Sequence, residues 1–300
     1  MRLWIPAVTL ALCAPTAACG TETAGGGGTL NVVATTGQAA DFARVVGAER
    51  VRVTALLAPN ADPHAFEIRP NDVSALGDAD LVVRSGGELD SWLEGAIDSS
   101  GGDAPVLTLA DTVSDDDPHW WQDPRNVIAA VTALGDALAA ADRSGAGAYR
   151  RAAARYVGRL ERLDEAVERC IARLPNAERT LVTTHDALGS YARRYGIRIV
   201  GTVIPSRSTA GQPSAGEIAA LVQTIRRERV RAIFPERSLS PDVEEAIARE
   251  SGARVGRPLW ADALGPEGSD GATYVDSIAA NTAALVEGLS GSAIACRPEA

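Results

Sequence analysis

Residues 147–174, GAYRRAAARYVGRLERLDEAVERCIARL, carry one helical pattern without a break. Tyr156, Leu160, Leu163, Val167, Cys170, Ile171 and Leu174 recur at spacings of three and four, and arginines and glutamates fill the opposite face. At 1.5 Å per residue such a helix is roughly 40 Å long, enough to run the length of a small domain. Pro175 ends it.

On both sides of this helix, β-rich runs alternate with helical ones. Before it, strands are predicted at 30–35, 51–57, 79–85 and 106–109, and helices at 37–46, 71–79, 90–97 and 124–140. After it, strands are predicted at 179–184, 198–203, 230–234 and 254–259, and helices at 186–195, 214–227, 241–251 and 274–289. Repeated β-α units imply parallel sheets covered on both faces. The expected fold is α/β, with two Rossmann-like lobes, 29–145 and 176–300, joined by one long rigid helix over 146–175. About 270 residues are available, enough for two lobes of roughly 120 to 130 residues each.

The front of the chain reads as an address. Met1 to Ala18 has one charge, Arg2, and an apolar stretch from Leu3 to Leu12 that is too short to span a bilayer, as expected of a secretory signal peptide. Thr16-Ala17-Ala18-Cys19-Gly20 resembles a bacterial lipobox, which makes Cys19 the candidate lipidation site, although Thr16 stands where Leu is usual. Cleavage after Ala18 without lipid is the alternative. Residues 19–28 include Gly25-Gly26-Gly27-Gly28, a tether with no side chains to bury. An extracytoplasmic protein anchored to the cell membrane is expected.

The formal charge is −10, and −11 once Arg2 leaves with the leader. That excludes the basic footprint nucleic-acid binding requires. All 29 basic residues are arginine, which points to codon bias rather than function. Cys170 and Cys296 are the two cysteines left for the mature body. In an oxidising compartment they are candidates for one disulfide, with two separate buried thiols as the alternative.

The chain has three histidines, each in a distinctive setting: Asp62-Pro63-His64-Ala65-Phe66-Glu67, Asp117-Pro118-His119-Trp120-Trp121-Gln122-Asp123-Pro124 and Thr183-Thr184-His185-Asp186-Ala187-Leu188-Gly189. Neutral imidazole is the commonest metal donor. All three follow a strand or the loop after one, and so does Asp262. In open α/β sheets ligands bind beyond the carboxyl ends of strands. Gaps of 55, 66 and 77 residues separate these four positions, so only the fold can assemble them. The expected metal site lies in the cleft, with two residues from each lobe. Glu236 is a candidate acceptor for the far nitrogen of a ligand histidine, a role Asp62, Asp186 or a backbone carbonyl also fits. The Asp115-Asp116-Asp117 run is expected to be a solvated loop.

These motifs, with Ile233-Phe234-Pro235-Glu236, Ala261-Asp262-Ala263-Leu264-Gly265 and Tyr191, resemble the substrate-binding lipoproteins of zinc or manganese ABC importers, in the group with a long inter-lobe helix. The resemblance covers residues 30 to 290. It implies metal ligation by His64, His119, His185 and Asp262, with Zn²⁺ as the transported ligand and Mn²⁺ as runner-up. It also implies a membrane permease with its cytoplasmic ATPase as partners, and a monomer. In this family manganese importers commonly have Glu at the third position, whereas this chain has His185. Zinc members often carry a His- and acid-rich loop before the second ligand, of which only Ser114-Asp115-Asp116-Asp117 remains. An adhesin of the same family is an alternative, and a zinc hydrolase a more distant one. A catalytic zinc keeps an open water position, and Asp262 as fourth ligand would close it.

Overall fold

The computed structural model describes Met1 and residues 29–300. The expected signal peptide, the Cys19 lipobox and the Gly-rich tether lie outside the described residues. Among the described residues are two four-stranded sheets, each wholly parallel. The first takes β1 (Leu30–Ala34), β2 (Val51–Ala55), β3 (Leu81–Arg84) and β4 (Val106–Thr108) in the order β2-β1-β3-β4. The second takes β5 (Thr180–Thr183), β6 (Arg198–Thr202), β7 (Ala232–Phe234) and β8 (Arg254–Val255) in the equivalent order, β6-β5-β7-β8.

The helices are α1 (Gly37–Gly47), α2 (Pro70–Gly77), α3 (Leu93–Ser100), α4 (Pro124–Ala141), α5 (Ala146–Ile171), α6 (Gly189–Tyr195), α7 (Ala215–Glu228), α8 (Asp242–Ser251) and α9 (Tyr274–Leu289). Their starts follow local chemistry. Thr36 and Asp123 accept backbone N–H groups from the first turns of α1 and α4, and Ser214 with Glu217 forms a capping box at α7. Among the described residues no helix is long and apolar enough to cross a membrane.

Parallel strands bury both faces, and the core shows it. Val33, Val82 and Leu93 lie in an apolar layer on the outer face of the first sheet, and Val182, Ile233 and Val222 in one on the second. The inner faces share one continuous core. It runs from Val32 and Leu134 through Tyr156, Leu160 and Leu163 of α5 to Leu181 and Leu285. The linking helix is therefore a structural part of both lobes. Two buried carboxylates bind it to its surroundings. Asp164 of α5 accepts from Tyr195 Oη at 2.9 Å, Arg194 at 2.7 Å and Arg125 at 3.2 Å. Asp41 of α1 accepts the backbone N–H of Tyr274 at 3.0 Å and faces Tyr156 Oη at 3.5 Å. At the far end Cys170 is joined to Cys296 by a disulfide, with Cα atoms 5.6 Å apart.

Many boundaries shift by one to four residues from the sequence reading, and four of the shifts have a visible cause. α5 stops at Ile171 and a tight turn carries the chain to Leu174, because Pro175 has no N–H to continue the ladder. The helix expected from Asp186 begins at Gly189. Asp186 N–H is taken by the Ser206 carbonyl instead. The helix expected from Asp90 begins at Leu93, since the Asp90 carboxylate is committed to Arg84, Thr35 and the Gly86 N–H. The strand expected to reach Leu259 pairs only over Arg254–Val255, then touches the sheet once more at Leu259 beside Glu236. Pro258 interrupts it.

Candidate metal centre

His64 sits in a single 3-10 turn after β2, with Asp62 as its cap. The Asp62 carboxylate accepts the His64 backbone N–H at 2.9 Å. The same Asp-Pro-His turn recurs after β4, where Asp117 accepts the His119 N–H at 3.0 Å. His185 follows β5 directly, and Thr183 Oγ1 donates to its carbonyl at 2.8 Å. Asp262 lies in the loop between β8 and α9.

The fold brings all four together. Their candidate donor atoms lie within 4.8 Å of one another. Asp262 Oδ2 is 3.1 Å from His64 Nε2 and 3.0 Å from His185 Nε2, and Oδ1 is 3.4 Å from His119 Nε2. A tetrahedral ion with bonds near 2.0–2.1 Å has edges of about 3.3 Å, so the carboxylate-to-imidazole separations match one coordination shell. Three of the four are dry, with His119 0 % exposed, His185 1 % and Asp262 1 %, while His64 is half-buried. His119 Nε2, His185 Nε2 and Asp262 Oδ1 are buried with no aligned hydrogen bond. Buried polar atoms without partners are costly, and an ion at their common focus would satisfy all three. The residues fit a divalent metal of borderline softness.

Behind the donors stand further carboxylates. Glu236 Oε2 is 2.9 Å from His185 Nδ1, and Ser238 Oγ donates to Glu236 Oε1 at 2.8 Å. Glu236 thus faces the His185 ring from the side away from the other donors, whereas Asp62 grips backbone and not a ring. His119 Nδ1 meets Asp117 Oδ1 at 3.3 Å. This corrects the expectation of a solvated acidic loop. Asp117 is buried, and Asp115 accepts from Ser190 at 2.8 Å, Asn126 at 3.1 Å and Arg193 at 2.7 Å. Only Asp116 of the run is exposed. The signal in the sequence was the repeated Asp-Pro-His triplet, whose aspartate must lie two residues from its histidine.

Charge is distributed unevenly. Burial alone would lower the pKa of His185, but the close carboxylates of Asp262 and Glu236 outweigh it and raise the ring to about 10. Burial works against ionising Asp262 too, yet the surrounding imidazoles, His119 first, hold it well below the usual carboxylate range. Glu236 is raised, by burial and then by the charge on Asp262. Asp117 is lowered, against burial, by His119 and Arg193. The metal-free centre therefore keeps a proton on His185 at neutral pH.

A family model described as "Zinc-uptake complex component A periplasmic", ZnuA, matches residues 32–288. The chain belongs to this family. Among curated relatives, the manganese-binding lipoprotein MntA of Bacillus subtilis is 31% identical over 274 residues, 85% of this chain and 89% of the relative. The zinc-binding protein TroA of Treponema pallidum is 29% identical over 289 residues, 91% of this chain and 93% of the relative. The solved structure of the latter superposes with a TM-score of 0.82 at 29% identity, covering 87% of this chain and 99% of that one. A manganese-bound mutant of a periplasmic metal-binding protein from Candidatus Liberibacter asiaticus shares the fold, with a TM-score of 0.78 at 22% identity, covering 87% of this chain and 99% of that one. Family membership agrees with the two parallel-sheet lobes and the long helix between them.

Proposed function

We propose that this protein is an extracytoplasmic, lipid-anchored monomer that captures one zinc ion through His64, His119, His185 and Asp262. It delivers the ion to an ABC importer permease driven by a cytoplasmic ATPase. The observation that carries the metal site is the convergence of three imidazole nitrogens and one carboxylate on a dry point, with two Nε2 atoms otherwise unpartnered. Relatives named for metal capture support the transport role. A closed four-donor shell favours carriage over hydrolysis, because it leaves no water to activate.

The choice of zinc rests on donor chemistry. Imidazole suits zinc, and manganese favours oxygen. Zn²⁺ has no geometric preference from its d electrons and accepts a tetrahedral shell of three nitrogens and one oxygen. Manganese is the second reading, because relatives carry that metal in their names. Competition of the two ions for purified metal-free protein is the test. Zinc should bind one per chain and far more tightly. His185→Glu should narrow the preference by about tenfold or more, as the donor set gains an oxygen. Manganese binding as well as zinc to the unaltered protein would overturn the assignment.

The anchor has its own test. Cys19→Ala should abolish palmitate labelling and leave the chain soluble or unprocessed. Unchanged labelling would remove Cys19 from the proposal.

A further inference from the structure

By chain order Asp262 belongs to the second lobe. Its loop does not stay there. Up to Trp260 the loop is held by second-lobe groups: Leu259 N–H donates to the Pro235 carbonyl at 2.8 Å, and Asn281 of α9 bonds both the N–H and the carbonyl of Trp260, at 2.8 and 2.7 Å. From Ala261 the partners change. The Ala261 carbonyl accepts from Gln122 Nε2 at 2.6 Å and Trp121 Nε1 at 3.2 Å. The Asp262 carbonyl accepts from Gln38 Nε2 at 3.0 Å, and the Leu264 carbonyl from Asn60 N–H at 2.8 Å. All four donors come from the first lobe.

We infer that Gln38 and Gln122 are positioning residues for Asp262, holding its backbone to the first lobe so that three of the four metal donors travel with that lobe. The inference rests on the metal-binding reading above. Both glutamines are buried, at 3 % and 1 % exposure, so their amides have no water to turn to. Each fixes a carbonyl within one residue of the Asp262 side chain. Outer partners of this kind set the orientation of a ligand without touching the ion. His185 is then the one donor carried by the body of the second lobe, attached to Glu236 two residues beyond the end of β7. A small withdrawal of that lobe would strip a single imidazole from the ion and leave a three-donor site. Release can thus begin without breaking the carboxylate bond.

Gln38→Met and Gln122→Met remove the amide and keep the shape, and having two positions guards against one variant failing to fold. Cobalt(II) serves as the probe, since its ligand-field absorption reports the donor set. Each variant should change the cobalt band and weaken zinc by about ten- to hundredfold. In an Asp262→Ala background Gln38→Met should cost little more, because its effect runs through Asp262. Unchanged band and zinc affinity in both single variants would overturn the assignment, as would a full additive loss in the Asp262→Ala background. Failure of the unaltered protein to give a tetrahedral cobalt band or bind zinc would instead refute the metal-binding reading itself.

Discussion

The two lobes repeat one strand order, yet they build their half of the metal centre in opposite ways. The first lobe uses an Asp-Pro-His turn twice. In each, one carboxylate oxygen grips the backbone of the histidine two residues on. The other oxygen reaches the second lobe: Asp62 Oδ2 accepts from Thr209 at 2.6 Å, and Asp117 Oδ2 faces Arg193 at 3.6 Å. A side chain at Gly189 would come within 2.5 Å of that same Asp117 oxygen, so only glycine fits there. The second lobe has no such turn. His185 is oriented by Glu236, which follows a different strand, β7, and meets it only once the sheet is formed. Local turns preset the donors of the first lobe, whereas tertiary assembly sets the donor of the second. The electrostatics follow this division. Asp117 stays ionised behind its histidine, while the proton that must leave before a metal binds is held on the second lobe, at His185.

That asymmetry is most directly broken by pH. With its pKa raised to about 10, His185 is protonated throughout the range from pH 7.5 to 5.5. Zinc must displace that proton, so apparent affinity should fall by about tenfold per pH unit, or about a hundredfold over the range, from this residue alone. The sign is fixed: acid always opposes binding. Titration calorimetry at pH 7.5, 6.5 and 5.5, in buffers of different ionisation enthalpy, reads both affinity and protons released. No proton release between pH 7.5 and 6.5 would remove the distinction between the lobes. Equal affinity at 7.5 and 5.5 would exclude the three-histidine centre altogether.

Much of this division was legible in the sequence, and the reasons it stopped being legible are physical. Periodicity marks α5 because a long amphipathic helix repeats its apolar face many times, as Tyr156, Leu160, Leu163 and Val167 do. The histidines stood out because each followed a strand end. Helix starts were less readable. Asp90 has the chemistry of a cap, but Arg84 claims its carboxylate, and at Asp186 the backbone N–H goes to the Ser206 carbonyl. Asp115 and Asp117 read as solvated because acids usually are; the arginine and serine that cover them lie some 75 residues away. Gln38 and Gln122 gave no signal. Nothing in a lone glutamine announces that a carbonyl from residue 261 or 262 will settle against it.

The finer comparison is between the two supporting carboxylates. Asp117→Asn removes the charge behind His119 and leaves its size. Asp117 is lowered and so fully ionised, and its loss has nothing to offset it; zinc affinity should fall by about ten- to hundredfold, the usual range for such partners. Glu236→Gln also removes support, from His185. It removes as well one of the two carboxylates that keep the His185 proton bound. Proton competition therefore eases as ligand orientation suffers, and the two effects oppose each other near neutral pH. The net loss should be smaller than for Asp117→Asn, and the dependence of zinc affinity on pH between 6.5 and 7.5 shallower than in the unaltered protein. Paired chelator competition at these two pH values separates the cases. Equal losses with unchanged pH slopes would mean that the two carboxylates act alike, and that the proton resides elsewhere in the centre than on the second lobe.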